Sequence, residues 1–134
     1  MKPMLCTVFC AIILLFSGCS MLGGDKVKLR DLEFTVLSEE KIPEELKTII
    51  DEKKAAPFQI TYSDTENLYI CEGYGEQKTG GYSIVVNELY LTDNRICVNT
   101  GLLGPDEKQK SSQNPSYPYI VLKTELLDKP VIFD

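Results

Sequence analysis

The stretch Tyr82-Ser-Ile-Val-Val-Asn-Glu-Leu-Tyr-Leu-Thr-Asp-Asn-Arg-Ile-Cys-Val-Asn-Thr100 decides the fold. Its apolar residues recur at alternate positions, Ile84 and Val86 and then Leu89 and Leu91, while Asp93-Asn94 stands where the chain must reverse. A period of two in β-branched and aromatic residues reads as strand, and Asp with Asn supplies the turn. Residues 82–91 and 95–102 are therefore expected to form a hairpin. Asn87-Glu88 places two residues between Val86 and Leu89 where strict alternation allows one, so a bulge there keeps both halves facing the same side.

The same period continues outward from this hairpin. Phe58-Gln-Ile-Thr-Tyr62 and Leu68-Tyr-Ile-Cys71 flank Ser63-Asp64 and predict a second hairpin. Leu32–Leu37, Tyr119–Leu122 and Val131–Phe133 read as further strands. One segment breaks the pattern. Pro43 opens a run to Ala56 with Glu44 and Glu45 in its first turn, Lys53 and Lys54 in its last, and Leu46, Ile49, Ile50 and Ala56 on one stripe. Such charges suit the helix dipole, and Pro57 prevents continuation. The expected fold is mainly β, an antiparallel sandwich or open barrel of about 6–8 short strands with one amphipathic helix (43–56) closing an end.

Composition bounds what this fold can do. Of 134 residues, 43% are hydrophobic and 25% charged, values of a chain with a real core. Fourteen Lys and Arg against 20 Asp and Glu give a net charge of −6, which argues against nucleic acid as a partner. There is no His and no Trp. The first absence removes Ser-His-Asp, Cys-His and imidazole-zinc chemistry, and no paired-carboxylate constellation stands in for them, so the chain is not expected to be an enzyme.

The N-terminus carries an address. A cationic start at Lys2, an apolar run from Met4 to Phe16 and then small residues give the order of a secretory signal peptide, 1–18. Phe16-Ser17-Gly18-Cys19 resembles the lipobox of bacterial lipoproteins, with Phe16 where Leu is usual. That resemblance implies cleavage before Cys19, acylation of its thiol and attachment to membrane lipid on the outer face of the cytoplasmic membrane. Lys2 is the only charge within 1–18, so the mature part carries −7. Residues 19–30 then read as lipidated terminus and tether, and 31–134 as one domain. Cys71 and Cys97 are the remaining thiols. The compartment permits a disulfide between them, contributing about 3.5 kcal/mol by chain-entropy arithmetic. Two buried apolar thiols fit the sequence equally well.

Two polar connections, 73–81 and 104–116, are long for so small a scaffold, and binding residues concentrate on such loops. Gly73 and Gly75 do not open a dinucleotide fingerprint, because Lys78 occupies the third glycine position and no helix follows. Gly75 and Gly80 lack the Lys and hydroxyl residue of a phosphate loop. No nucleotide, cofactor or metal is expected. The candidates are Thr79, Gly80, Gly81 and Tyr82, with Tyr117, Pro118 and Tyr119 beside them; the paired glycines permit positive φ or close backbone approach, and an aromatic before Pro118 raises the share of cis peptide, although most such bonds in folded proteins are trans.

Gly75-Glu-Gln-Lys-Thr-Gly-Gly-Tyr-Ser-Ile84, Gly104-Pro105, Ser116-Tyr-Pro-Tyr-Ile-Val121 and Lys129-Pro-Val-Ile-Phe133 resemble the C-terminal domain of PrcB, a protease-complex subunit family, from about Asp31 to the end. Lys78 stands where the family commonly shows Pro. The resemblance implies a non-catalytic surface domain serving an extracellular peptidase as a stabilising or maturation partner, with 79–82 and 117–119 making the contact. The Thr-Gly-Gly-Tyr loop also looks like the Thr-Gly-Tyr loop of chagasin-type cysteine-protease inhibitors, which makes direct inhibition through loop 73–82 the alternative. A solute-binding lipoprotein with an aromatic pocket is the third reading.

Overall fold

Tight turns and alternation assemble the chain in the order β1 (Arg30–Asp31), β2 (Phe34–Val36), a 3-10 turn (Glu39–Lys41), α1 (Glu44–Lys53), β3 (Pro57–Ser63), β4 (Asn67–Tyr74), β5 (Ser83–Leu91), β6 (Ile96–Leu103), β7 (Tyr119–Glu125) and β8 (Val131–Phe133). The structure is a computed structural model that describes residues 27–106 and 114–134. The signal segment, Cys19 and the tether through residue 26 lie outside the described residues.

Both expected hairpins are present. β3 and β4 pair antiparallel from Pro57 with Tyr74 to Ser63 with Leu68. Asp64 closes their turn: its Oδ1 accepts the N–H groups of Glu66 at 2.9 Å and Asn67 at 2.8 Å, and its Oδ2 accepts the Tyr69 hydroxyl at 3.1 Å. Those backbone donors hold the Asp64 carboxyl below the usual carboxylate range. β5 and β6 pair from Ser83 with Leu103 to Leu91 with Ile96, and the register shifts between Val86 and Glu88 as the Asn87-Glu88 pair requires. Thr92 does at this turn what Asp64 does at the other, its Oγ1 accepting from the N–H groups of Arg95 and Asn94.

The strands form two four-stranded sheets, β2-β7-β4-β3 and β1-β5-β6-β8. The architecture is a sandwich rather than a barrel. Every neighbour pairing is antiparallel except β6 with β8, which is parallel because the 126–130 connection carries the chain from one sheet to the other before β8 joins. Leu68 and Ile70 of β4, Leu89 and Leu91 of β5, Ile96 and Val98 of β6 and Leu122 of β7 fill the space between the sheets.

A second core lies outside this sandwich. α1 does not close an end; it packs on the outer face of the β2-β7-β4-β3 sheet, where Leu46 and Ile50 are fully buried against Tyr69, Cys71 and Val121. Burying each aliphatic side chain contributes roughly 1.5–3 kcal/mol. The helix is shorter than its periodicity suggests. It begins after Pro43, which serves as N-cap, and ends at Lys53, leaving Ala56 exposed and off the stripe. The residue before a proline is pushed out of the helical region, so Pro57 already acts at Ala56.

Cys71 and Cys97 are free and buried. Cys71 faces α1. Cys97 alternates with Ile96 and Val98 of the inter-sheet core, so it faces the opposite outer surface, beside Tyr90. The whole sandwich core separates them. A bond would require one strand to reverse its faces.

Candidate partner-binding site

At one end of the sandwich, β4 runs out at Tyr74, β5 starts at Ser83, β6 ends at Leu103, β7 starts at Tyr119 and α1 delivers the chain to β3. Loops 75–82 and 104–118 therefore emerge together by topology, and the structure joins them. Gln77 and Ser116 exchange both backbone hydrogen bonds, at 2.8 and 3.0 Å. Ser116 Oγ donates to the Thr79 carbonyl at 2.7 Å, and the Gln77 side chain donates to the Tyr74 carbonyl at 3.2 Å. The Tyr74 N–H donates to the Pro118 carbonyl at 3.0 Å. The two loops are one unit.

Glycine is required where the first loop departs and where it returns. Gly75 has φ +79° and lies so close to Pro57 that a Cβ would sit 2.9 Å from the proline ring; Gly81 has φ +89°. Gly80 has ordinary φ. Tyr82 anchors the base of the loop, its ring lying over Gly104. What projects is the tip: Lys78 and Gly81 are exposed, while Thr79 and Gly80 are half-buried, the Thr79 hydroxyl bonding to the Gly80 carbonyl.

The aromatic trio divides between surface and core. Tyr117 is 36% exposed, with Lys54 Nζ of the helix end 5.8 Å from its ring centre. Pro118 follows a trans bond, as the described residues hold no cis peptide, and its carbonyl accepts the Tyr74 amide. Tyr119 packs against the α1 core, and its hydroxyl reaches Glu39 at 3.5 Å. Burial, reinforced by Glu39, pushes its phenol up to about 12. A shallow groove of about 350 Å³ runs beside Tyr117, Pro118 and Tyr119 against Val36 and Leu37.

The described residues of the site present hydrogen-bonding and apolar surface. The Cys71 thiol is pushed up to about 12 by burial, with Glu72 adding to it, so it stays protonated and inert at neutral pH. Among the described residues, no group of three or more Cys, Asp and Glu is placed to hold a metal ion.

Sequence reasoning missed Gln77, Ser116 and Tyr74, which hold the loops together. It also missed a polar chain beneath them. Glu72 accepts from Thr100 at 2.7 Å and from Gln59 at 3.1 Å, and because the Thr100 proton is used there, the Tyr74 hydroxyl donates to Thr100 at 2.5 Å. The available signal was parity, since Glu72 and Tyr74 continue the inward-facing positions of Leu68 and Ile70.

The opposite end differs. Leu29 donates to the Leu91 carbonyl and Arg30 pairs with Glu125 at 3.0 Å, so the described chain enters beside the 64–66 and 92–95 turns, a full strand length from the loop tip.

Residues 68–125 match the family model described as PrcB C-terminal, a span from the second residue of β4 to the last of β7 that includes both loops. Neither the curated proteins nor the solved structures gave a match.

Proposed function

We propose, from the match of residues 68–125 to the PrcB C-terminal family model, that this chain is a non-catalytic subunit of a protease complex. It is anchored by acylated Cys19 to the outer face of the cytoplasmic membrane. The end carrying Thr79, Gly80, Gly81, Tyr82, Tyr117, Pro118 and Tyr119 docks an envelope or secreted peptidase.

The observation that carries the reading is the polarity of the domain. The two loops are fastened into one tip through Gln77 and Ser116, and the chain enters at the other end. An anchored domain of this shape presents its loops away from the surface that holds it. The 20–26 tether adds a reach of about 3.3–3.6 Å per residue.

Two measurements test it. Cys19→Ala should move the protein out of the membrane fraction of its host, and retention there would overturn the anchor. Affinity capture of the full chain from gently solubilised envelope should bring down an active peptidase. An inactive one, recovering activity when the chain is removed, would instead make the chain an inhibitor acting through loop 73–82. Recovery of the chain alone would overturn both protein-binding readings.

A further inference from the structure

A sheet edge leaves a row of N–H and C=O groups open to pairing, and folded proteins blunt such edges with short strands, bulges or charges. Three of the four terminal strands here are short: β1 has two residues, β2 and β8 three each. β5 runs on beyond β1, but its bulge at Asn87 interrupts the repeat. β3 carries one such device, Pro57 at its first residue, and none from Phe58 onward. Its seven residues, Pro57-Phe-Gln-Ile-Thr-Tyr-Ser63, hold an unbroken register against β4 and carry no charge.

Parity fixes which groups are open. The Tyr74 N–H points to the β7 side, where it meets Pro118, so Gly73, Cys71 and Tyr69 bond toward β3 and pair with Phe58, Ile60 and Tyr62. The N–H and C=O groups of Gln59, Thr61 and Ser63 consequently face outward, and all three residues are exposed.

Acids flank this edge on both faces. Glu45 of α1 takes the Tyr62 hydroxyl at 2.5 Å on the helix side, and Glu72 takes Gln59 on the sandwich side. One Glu72 oxygen accepts from Thr100 and the other from Gln59, and each has a second lone pair to offer. A groove of about 390 Å³ lined by Phe58, Gln59, Glu72 and Tyr74 opens beside it. A strand laid next to β3 stands about 9.6 Å from β4, two strand spacings, which a lysine or arginine and Glu72 bridge together.

We propose that β3 is a strand-addition site whose occupant is an extended, basic segment of another protein, its backbone pairing with Gln59, Thr61 and Ser63 and its cationic side chains meeting Glu72 and Glu45. A second copy of this acidic chain lacks the complementary charge. The inference rests on the edge and its acids, independently of the loop-tip reading.

The test is amide hydrogen exchange of the full chain with and without a capped heptapeptide alternating lysine and valine. The amides of Gln59, Thr61 and Ser63 should slow by about tenfold while Ile60 and Tyr62 hold. A peptide N-methylated on its pairing face should lose the effect with the protein untouched. Thr61→Pro, which removes an outward donor and leaves the β4 ladder whole, should abolish binding, and Glu72→Gln should weaken it by about threefold to tenfold. No slowing at millimolar peptide, or equal slowing by the glutamate–valine counterpart, overturns the proposal. Protection without peptide that rises with protein concentration overturns it in favour of a second copy.

Discussion

The two ends of the sandwich are built by different means. At the entry end, turns of a few residues close on themselves through one side chain each, Asp64 on Glu66 and Asn67, Thr92 on Asn94 and Arg95. At the loop end, segments distant in sequence hold one another, Gln77 with Ser116 and Tyr82 over Gly104. Short-range closure fixes a turn without help from the rest of the fold, whereas the loop-end contacts extend the β4–β7 and β5–β6 ladders and form only once those strands have paired. The entry end is therefore scaffold and the loop end is a surface free to specialise.

The largest expected effect concerns what lies between the ends. With both thiols buried and free, native protein should react with a thiol reagent at least about a thousandfold more slowly than unfolded protein, which should titrate both Cys71 and Cys97. Mass spectrometry of alkylated, unreduced protein checks this, and a bridged species would contradict it.

Next is Gly73, whose absent Cβ would lie 2.2 Å from the Phe58 ring. Gly73→Ala should lower stability by about 2–3 kcal/mol in urea unfolding, because the ring must leave its place over the cross-strand neighbour. Retained stability would show that Phe58 has room to move.

The entry end can be sharpened with pH. Asp64 is held below the ordinary carboxylate value, so its ionised form stabilises the fold above that value, and the contribution is lost as pH falls through the lower folded one. Asp64→Asn keeps the turn acceptor and removes the charge. The gap in Tm between wild type and variant should close as pH drops from about 5 to about 2, and a constant gap would assign the effect elsewhere.

The smallest effect should belong to the loop end. Ser116→Ala removes the bond to the Thr79 carbonyl and should speed local amide exchange around 77–80 by about fivefold, with Tm nearly unchanged. A large loss of Tm would mean that the loops carry the fold rather than ride on it.

Much of this was legible in the sequence. The two hairpins, the bulge at Asn87 and the buried helix stripe follow from parity and turn residues that act over a few positions. Less legible was anything requiring two distant segments at once. The parallel pairing of β8, the seating of α1 on a sheet face and the opposed directions of Cys71 and Cys97 depend on how the sheets stack. At the candidate site, glycine and aromatic content pointed to two loops that the structure brings together, but the residues joining them, Gln77 and Ser116, are polar residues in no pattern. Tyr119 illustrates the same limit, since an aromatic beside a loop reads alike whether it faces a partner or, as here, the helix core.

The measurement closest to the central claim compares variants at the two ends in one capture experiment from host envelope. Gly80→Val, at an ordinary φ, with Tyr117→Ala alters the loop end, and Asp64→Asn alters the entry end. The account predicts that a peptidase co-purifies with wild type and with Asp64→Asn and is lost from the loop variant while its circular dichroism and melting stay native. Capture undiminished by the folded loop variant would contradict it.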